Sequence, residues 1–120
     1  GWPMPIHRLL VKHGVSAVFH GHDHLYVHSQ LDGVHYQCVP QPGNIAGGTR
    51  SAEEYGYASG TILGSPGYMR VRIEADGTAK LEFVRTVAAG APAGGNRRGG
   101  GAAASKEANG SVVDRYEIKP

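Results

Sequence analysis

Residues His20-Gly21-His22-Asp23-His24 gather three imidazoles and a carboxylate within five positions. No other stretch of the chain is as dense in side chains that can hold a metal. Imidazole nitrogen and carboxylate oxygen bind divalent transition metals at about 2.0–2.2 Å when several converge on one point. His20, His22 and His24 share parity, so in extended backbone they face one way and Asp23 the other. Gly21 allows a tight turn just before the pair His22 and His24. These two are the expected metal ligands. His20 and Asp23 are candidates for orienting a ligand or touching substrate. His7, His13, His28 and His35 fall inside ordinary helix or hairpin patterns, where structural or surface roles are expected.

The elements around this stretch can be read from periodicity. Pro5 suits a first helical turn, and Ile6, Leu9, Leu10 and His13 lie on one helical face. Gly14 suits the C-terminal cap. The almost wholly apolar run Val15–Phe19 predicts a strand buried on both faces, central in an α/β sheet. The histidine cluster begins at its carboxyl end, where α/β sheets place their functional loops. Asp32-Gly33 joins the β-prone runs Leu25–Leu31 and Val34–Val39 into a hairpin, one face of which is wetter than the other.

Residues 40–67 are long and irregular, with two tyrosines, Tyr55 and Tyr57, among scattered glycines. They read either as a loop folded over a site or as a plain surface excursion. Asn44 is a candidate rim residue there. Tyr68–Glu74 and Leu81–Phe83, turned by Asp76-Gly77, predict a second, half-buried hairpin with Met69, Val71 and Ile73 on one face. Residues 88–110 are a Gly/Ala-rich run that reads as a flexible link. Val112, Val113, Tyr116 and Ile118 then predict a terminal edge strand within 111–120. Residues 1–87 and 111–120 are thus expected to form one domain.

At 120 residues the chain is at most one domain, and its opening at Gly1-Trp2-Pro3 reads as a cut edge. Twelve basic and ten acidic residues leave a net charge of +2, and the basic ones form no stripe, which argues against a nucleic-acid surface. The single cysteine, Cys38, excludes an intrachain disulfide and a cysteine-rich zinc site. No apolar run has the length of a membrane span.

Two metal-dependent families invite comparison. The metallo-β-lactamase motif, His-x-His-x-Asp-His, needs one more residue between His22 and Asp23 than this chain has. Val18-Phe19-His20-Gly21-His22-Asp23-His24 instead resembles the last motif, Gly-His-x-His, of the calcineurin-like metallophosphoesterases, a group that includes the purple acid phosphatases. The preceding helix and strand, the following hairpin, Ser65-Pro66-Gly67-Tyr68 and Val112-Val113-Asp114-Arg115-Tyr116 agree with that context.

The resemblance implies an α/β fold, namely the C-terminal part of a four-layer α/β/β/α sandwich. It implies two divalent or trivalent metal ions (Fe, Mn or Zn) at strand ends. It also implies hydrolysis of a phosphate mono- or diester by a metal-bound hydroxide attacking phosphorus. By matching position, His22 would bind one metal together with an upstream Asn and His. His24 would bind the other together with upstream aspartates. The family's Asp-x-His, Gly-Asp-x-x-Asp and Gly-Asn-His motifs are missing, since Asp occurs only at 23, 32, 76 and 114.

The chain is therefore expected to lack a complete catalytic set and to be inactive alone. Its partners would be a phosphoester substrate and the N-terminal part of the same domain. Only the resemblance leans towards export from the cytoplasm. The alternative is a non-catalytic β-rich binding module with a single structural zinc or no metal.

Overall fold

The computed structural model describes residues 1–43, 48–87 and 107–120. One short helix, α1 (Ile6–Lys12), is followed by seven strands. They are β1 (Ala17–His20), β2 (Leu25–Leu31), β3 (Val34–Cys38), β4 (Thr61–Gly64), β5 (Gly67–Ile73), β6 (Ala79–Arg85) and β7 (Val112–Ile118). They form two sheets, of order β1-β3-β2-β4 and β5-β6-β7. The fold is mixed α/β with strands predominating.

Both expected hairpins are present. Asp32 and Gly33 take φ of 47° and 82°, the pair of left-handed residues that matches the twist of a two-residue hairpin. β7 is an edge strand, as its position after the Gly/Ala-rich run suggests. Asn44 and most of that run, residues 88–106, lie outside the described residues.

The expectation of a strand buried on both faces at Val15–Phe19 is overturned. β1 starts at Ala17 and stands at the edge of its sheet, pairing in parallel with β3 on one side. Among the described residues its other side pairs with nothing, and Phe19 is 48 % exposed. An apolar run without alternation signals two covered faces, and here the second cover is missing. The apolar stripe of α1 is only partly covered, with Ile6 exposed, Leu9 and Leu10 half-buried, and no residue of the helix fully buried. Met69 in β5 is half-buried, but Val71 and Ile73 of the same face are exposed. With Ala17, Phe19 and Leu81 the latter two line an open apolar groove of about 280 Å³.

The irregular segment contains a strand that its composition conceals. β4 pairs antiparallel with β2, from Leu25↔Gly64 to His28↔Thr61. Thr61, Ile62 and Leu63 carry the β propensity, but three residues between glycines give little periodicity to read.

Side chains alternate across the first sheet. Leu25, Val27 and Cys38 face one way and form a core cluster with Ala52, backed by Tyr57 and Ile62. Tyr26, His28, His35 and Gln37 face the second sheet. This is the wetter face, yet it is buried. Tyr26 stacks on Phe83 with ring centroids 4.5 Å apart, and its hydroxyl donates to Asp114 Oδ2 at 2.6 Å. Gln37 donates to the carbonyls of Val27 and Cys38 and accepts from the Tyr116 hydroxyl at 3.0 Å. Polar groups can be buried when they are paired this fully, and no described buried side-chain N or O lacks a partner.

Arg85, 4 % exposed, closes one end of the sheet pair. It donates to the carbonyls of Gly64 and Pro66 and to Glu107 at 2.8 Å, over the Phe83 ring.

Candidate metal centre

β1 ends at His20, and the chain must turn before β2 starts at Leu25. The turn is made at His22 and His24, with φ of 95° and 58°. The sequence points to Gly21 as the residue that shapes this turn, and the structure differs. The Gly21 backbone stays outside the left-handed region, and a Cβ there would meet nothing within 4 Å. The strain therefore sits on the two histidines. Left-handed backbone costs a non-glycine residue roughly 1–2 kcal/mol. Such residues persist where surrounding structure fixes them, and they cluster at functional sites.

The two histidines are exposed, and the His22 side chain is 86 % accessible. Asp23, between them, turns inward. Its Oδ1 lies 3.5 Å from His22 Nδ1, and its Oδ2 accepts a hydrogen bond from the Tyr57 hydroxyl. Tyr57 comes from the irregular segment, which lies here against the loop it follows in sequence. Burial and the bond to Asp23 raise the Tyr57 pKa far above its usual range, so it stays a proton donor.

His20 is half-buried beneath the same loop. Its ring stacks on Tyr57, with centroids 6.5 Å apart and planes at 20°. The parallel register sets His20 directly opposite Cys38. Cys38 is fully buried, and burial raises its thiol pKa. One ligand atom each from His20, Asp23 and Cys38 lies within 4.8 Å of the others.

This is the only group of three such donors found among the described residues, and it includes neither His22 nor His24. Among the described residues, no group of three such donors includes either histidine of that pair. Sequence reasoning missed Cys38, because the register that brings it beside His20 depends on the intervening hairpin. The available signal was that both residues end their strands just before a chain break in pattern, at Gly21 and at Pro40.

Comparison with protein-family models, curated proteins and solved structures finds no match for this chain. Among the described residues no helix is long and apolar enough to cross a membrane.

Proposed function

We propose that the chain supplies the histidine loop of a dinuclear-metal phosphoesterase, as the C-terminal part of a calcineurin-like α/β/β/α sandwich. The carrying observation is that His22 and His24 stand exposed in left-handed backbone at the carboxyl end of a parallel strand. Each would give one imidazole to a different metal, and the remaining donors would come from outside this chain. When bound, the metals supply the nucleophile and neutralise charge on the phosphoryl group. The open edge of β1 supports the same reading, since further strands of a larger sheet would add there. His20 and Asp23 lie on the inner side of the loop and would brace it.

The test is the coding sequence upstream of Gly1, followed by expression of the longer protein. Asp-x-His, Gly-Asp-x-x-Asp and Gly-Asn-His motifs are expected there. With Mn, Zn or Fe, the longer protein should hydrolyse a chromogenic phosphoester, and His22→Ala and His24→Ala should each abolish turnover. Absence of those motifs overturns the reading, as does full activity in the His22→Ala protein. Turnover by the 120-residue chain alone, lost in His22→Ala, would overturn its status as part of a site.

A second reading is a non-catalytic β-rich binding module. It is favoured by the lack of any third donor clustered with His22 or His24 among the described residues. An intact longer protein without hydrolytic activity would select it.

A further inference from the structure

We propose that His20, Asp23 and Cys38 form a mononuclear site for a borderline-soft divalent metal, zinc above all, separate from His22 and His24. The site does not depend on whether the loop belongs to a phosphoesterase. The three donors come from three chain positions, the end of β1, the loop and the end of β3, and their ligand atoms lie within 4.8 Å of one another.

Tetrahedral zinc, with bonds of about 2.0–2.3 Å, holds its ligand atoms roughly 3.5 Å apart. The widest separation in the cluster therefore needs to contract by about 1.3 Å, within reach of side-chain rotation. The donor chemistry is also selective. Imidazole, carboxylate and thiolate together suit zinc and its spectroscopic substitute cobalt, whereas magnesium and calcium prefer oxygen alone.

Cys38 is what separates this cluster from an ordinary polar loop. It is 0 % exposed and sits in the apolar cluster with Leu25, Val27 and Ala52. Its sulfur lies within 4.8 Å of both an imidazole nitrogen and a carboxylate oxygen. Tyr57 acts as a positioning residue. Its hydroxyl holds Asp23 Oδ2 and its ring supports His20, while Oδ1 has only the 3.5 Å contact with the exposed His22 ring to give up on binding. Binding forms a bond from metal to Cys38 Sγ and releases the thiol proton to solvent. Three protein ligands leave the fourth position to water, the arrangement of a site that can accept an external donor.

Cobalt(II) titration of the 120-residue chain under reducing conditions tests this. The expected result is one equivalent bound, intense visible bands of a four-coordinate ion, and a near-ultraviolet thiolate-to-cobalt charge-transfer band. Zinc should displace the cobalt and bleach both. Cys38→Ser should remove the charge-transfer band, and His20→Ala should weaken binding by at least about tenfold. Tyr57→Phe should weaken it by about tenfold while keeping the charge-transfer band.

The double variant His22→Ala/His24→Ala should keep the charge-transfer band and the one-equivalent stoichiometry, which separates this site from the proposed phosphoesterase ligands. Circular dichroism identifies a Cys38→Ser protein that has lost its fold, and the more accessible His20→Ala then decides. Binding without a thiolate band overturns the proposal, as does a spectrum untouched by His20→Ala or one lost in the double variant. Failure to bind cobalt at all also overturns it.

Discussion

The His28 ring lies flat against the Tyr116 ring, with centroids 3.6 Å apart and planes 4° from parallel. His28 Nε2 also meets His35 Nδ1 at 2.9 Å, and Gln30 meets the far nitrogen of His35 at 3.3 Å. This stack joins β2 and β3 of one sheet to β7 of the other, so the attachment of the last strand depends on two imidazoles sharing hydrogen bonds. Only one of the paired nitrogens can carry a proton, and double protonation would set like charges face to face. Burial lowers the pKa of both, with His35 adding to the effect on His28 and Asp114 opposing it. Tyr116, pushed up to about 12 by burial and by Asp114, stays neutral throughout.

Acid should therefore loosen the sheet pair. Imidazoles with lowered pKa in the folded state are protonated first in the unfolded chain. The unfolded state then binds more protons, and stability falls as pH drops below about 6.5 towards the folded values. Denaturant unfolding at about pH 8 and at about pH 5 should give a lower midpoint in acid. His28→Gln should flatten the dependence. Equal midpoints at the two pH values would refute this role for the histidine pair.

Arg85 should not be replaceable by lysine. Its guanidinium serves Glu107 from Nε and two carbonyls from Nη1, a spread of donors over two nitrogens that the single nitrogen of an ammonium does not reproduce. Arg85→Ala leaves those carbonyls unpaired and should cost about 1–3 kcal/mol. Arg85→Lys should recover only part of that. Glu107 has a side chain 40 % exposed, so Glu107→Gln should cost less than about 1 kcal/mol. Chemical denaturation of the three variants gives the ranking. An Arg85→Lys protein as stable as the parent would contradict it.

Gly67 should tolerate no side chain. A Cβ there would lie 2.6 Å from the Val84 carbonyl oxygen and collide with the Phe83 ring. Phe83 is the ring on which Tyr26 stacks, so it has no room to withdraw. Gly67→Ala should destabilise by about 1–3 kcal/mol through overpacking. Thermal denaturation checks it, and a midpoint equal to that of the parent would show that the strand pair can shift.

Relieving the histidine loop should stabilise the chain. His22→Gly removes the left-handed strain and should gain up to about 1 kcal/mol, less the entropy that glycine loses on folding. His22→Val, branched at Cβ, should lose at least about 1 kcal/mol at the same position. In the proposed phosphoesterase the glycine variant would be more stable and inactive. Urea midpoints of the two variants, measured side by side, decide whether the loop is held under strain.

The two hairpins and the terminal strand were legible because Asp32-Gly33 and Asp76-Gly77 punctuate clear alternation. The placement of β1 was not. Val15–Phe19 reads as central because apolar content reports what a strand prefers to have beside it, not what is there. Which face of the first hairpin is buried was also hidden. Tyr26, His28, His35 and Gln37 are individually polar, and only their mutual pairing makes the face fit to bury. The histidine loop stood out through its residue types. Its inner partners did not, because Tyr57 and Cys38 reach it through tertiary contacts that local spacing does not encode.

The open edge of β1 bears on how the chain behaves in bulk. Unpaired strand edges are templates for intermolecular pairing, and this one is bordered by the exposed Phe19 and an apolar groove. Concentrated solutions should self-associate through β1, giving turbidity that rises with protein concentration. Phe19→Lys is the single change expected to suppress it, because a charge on the edge blocks that pairing. The strand that carries His20 to the metal cluster thus also sets the colloidal shelf life of the chain.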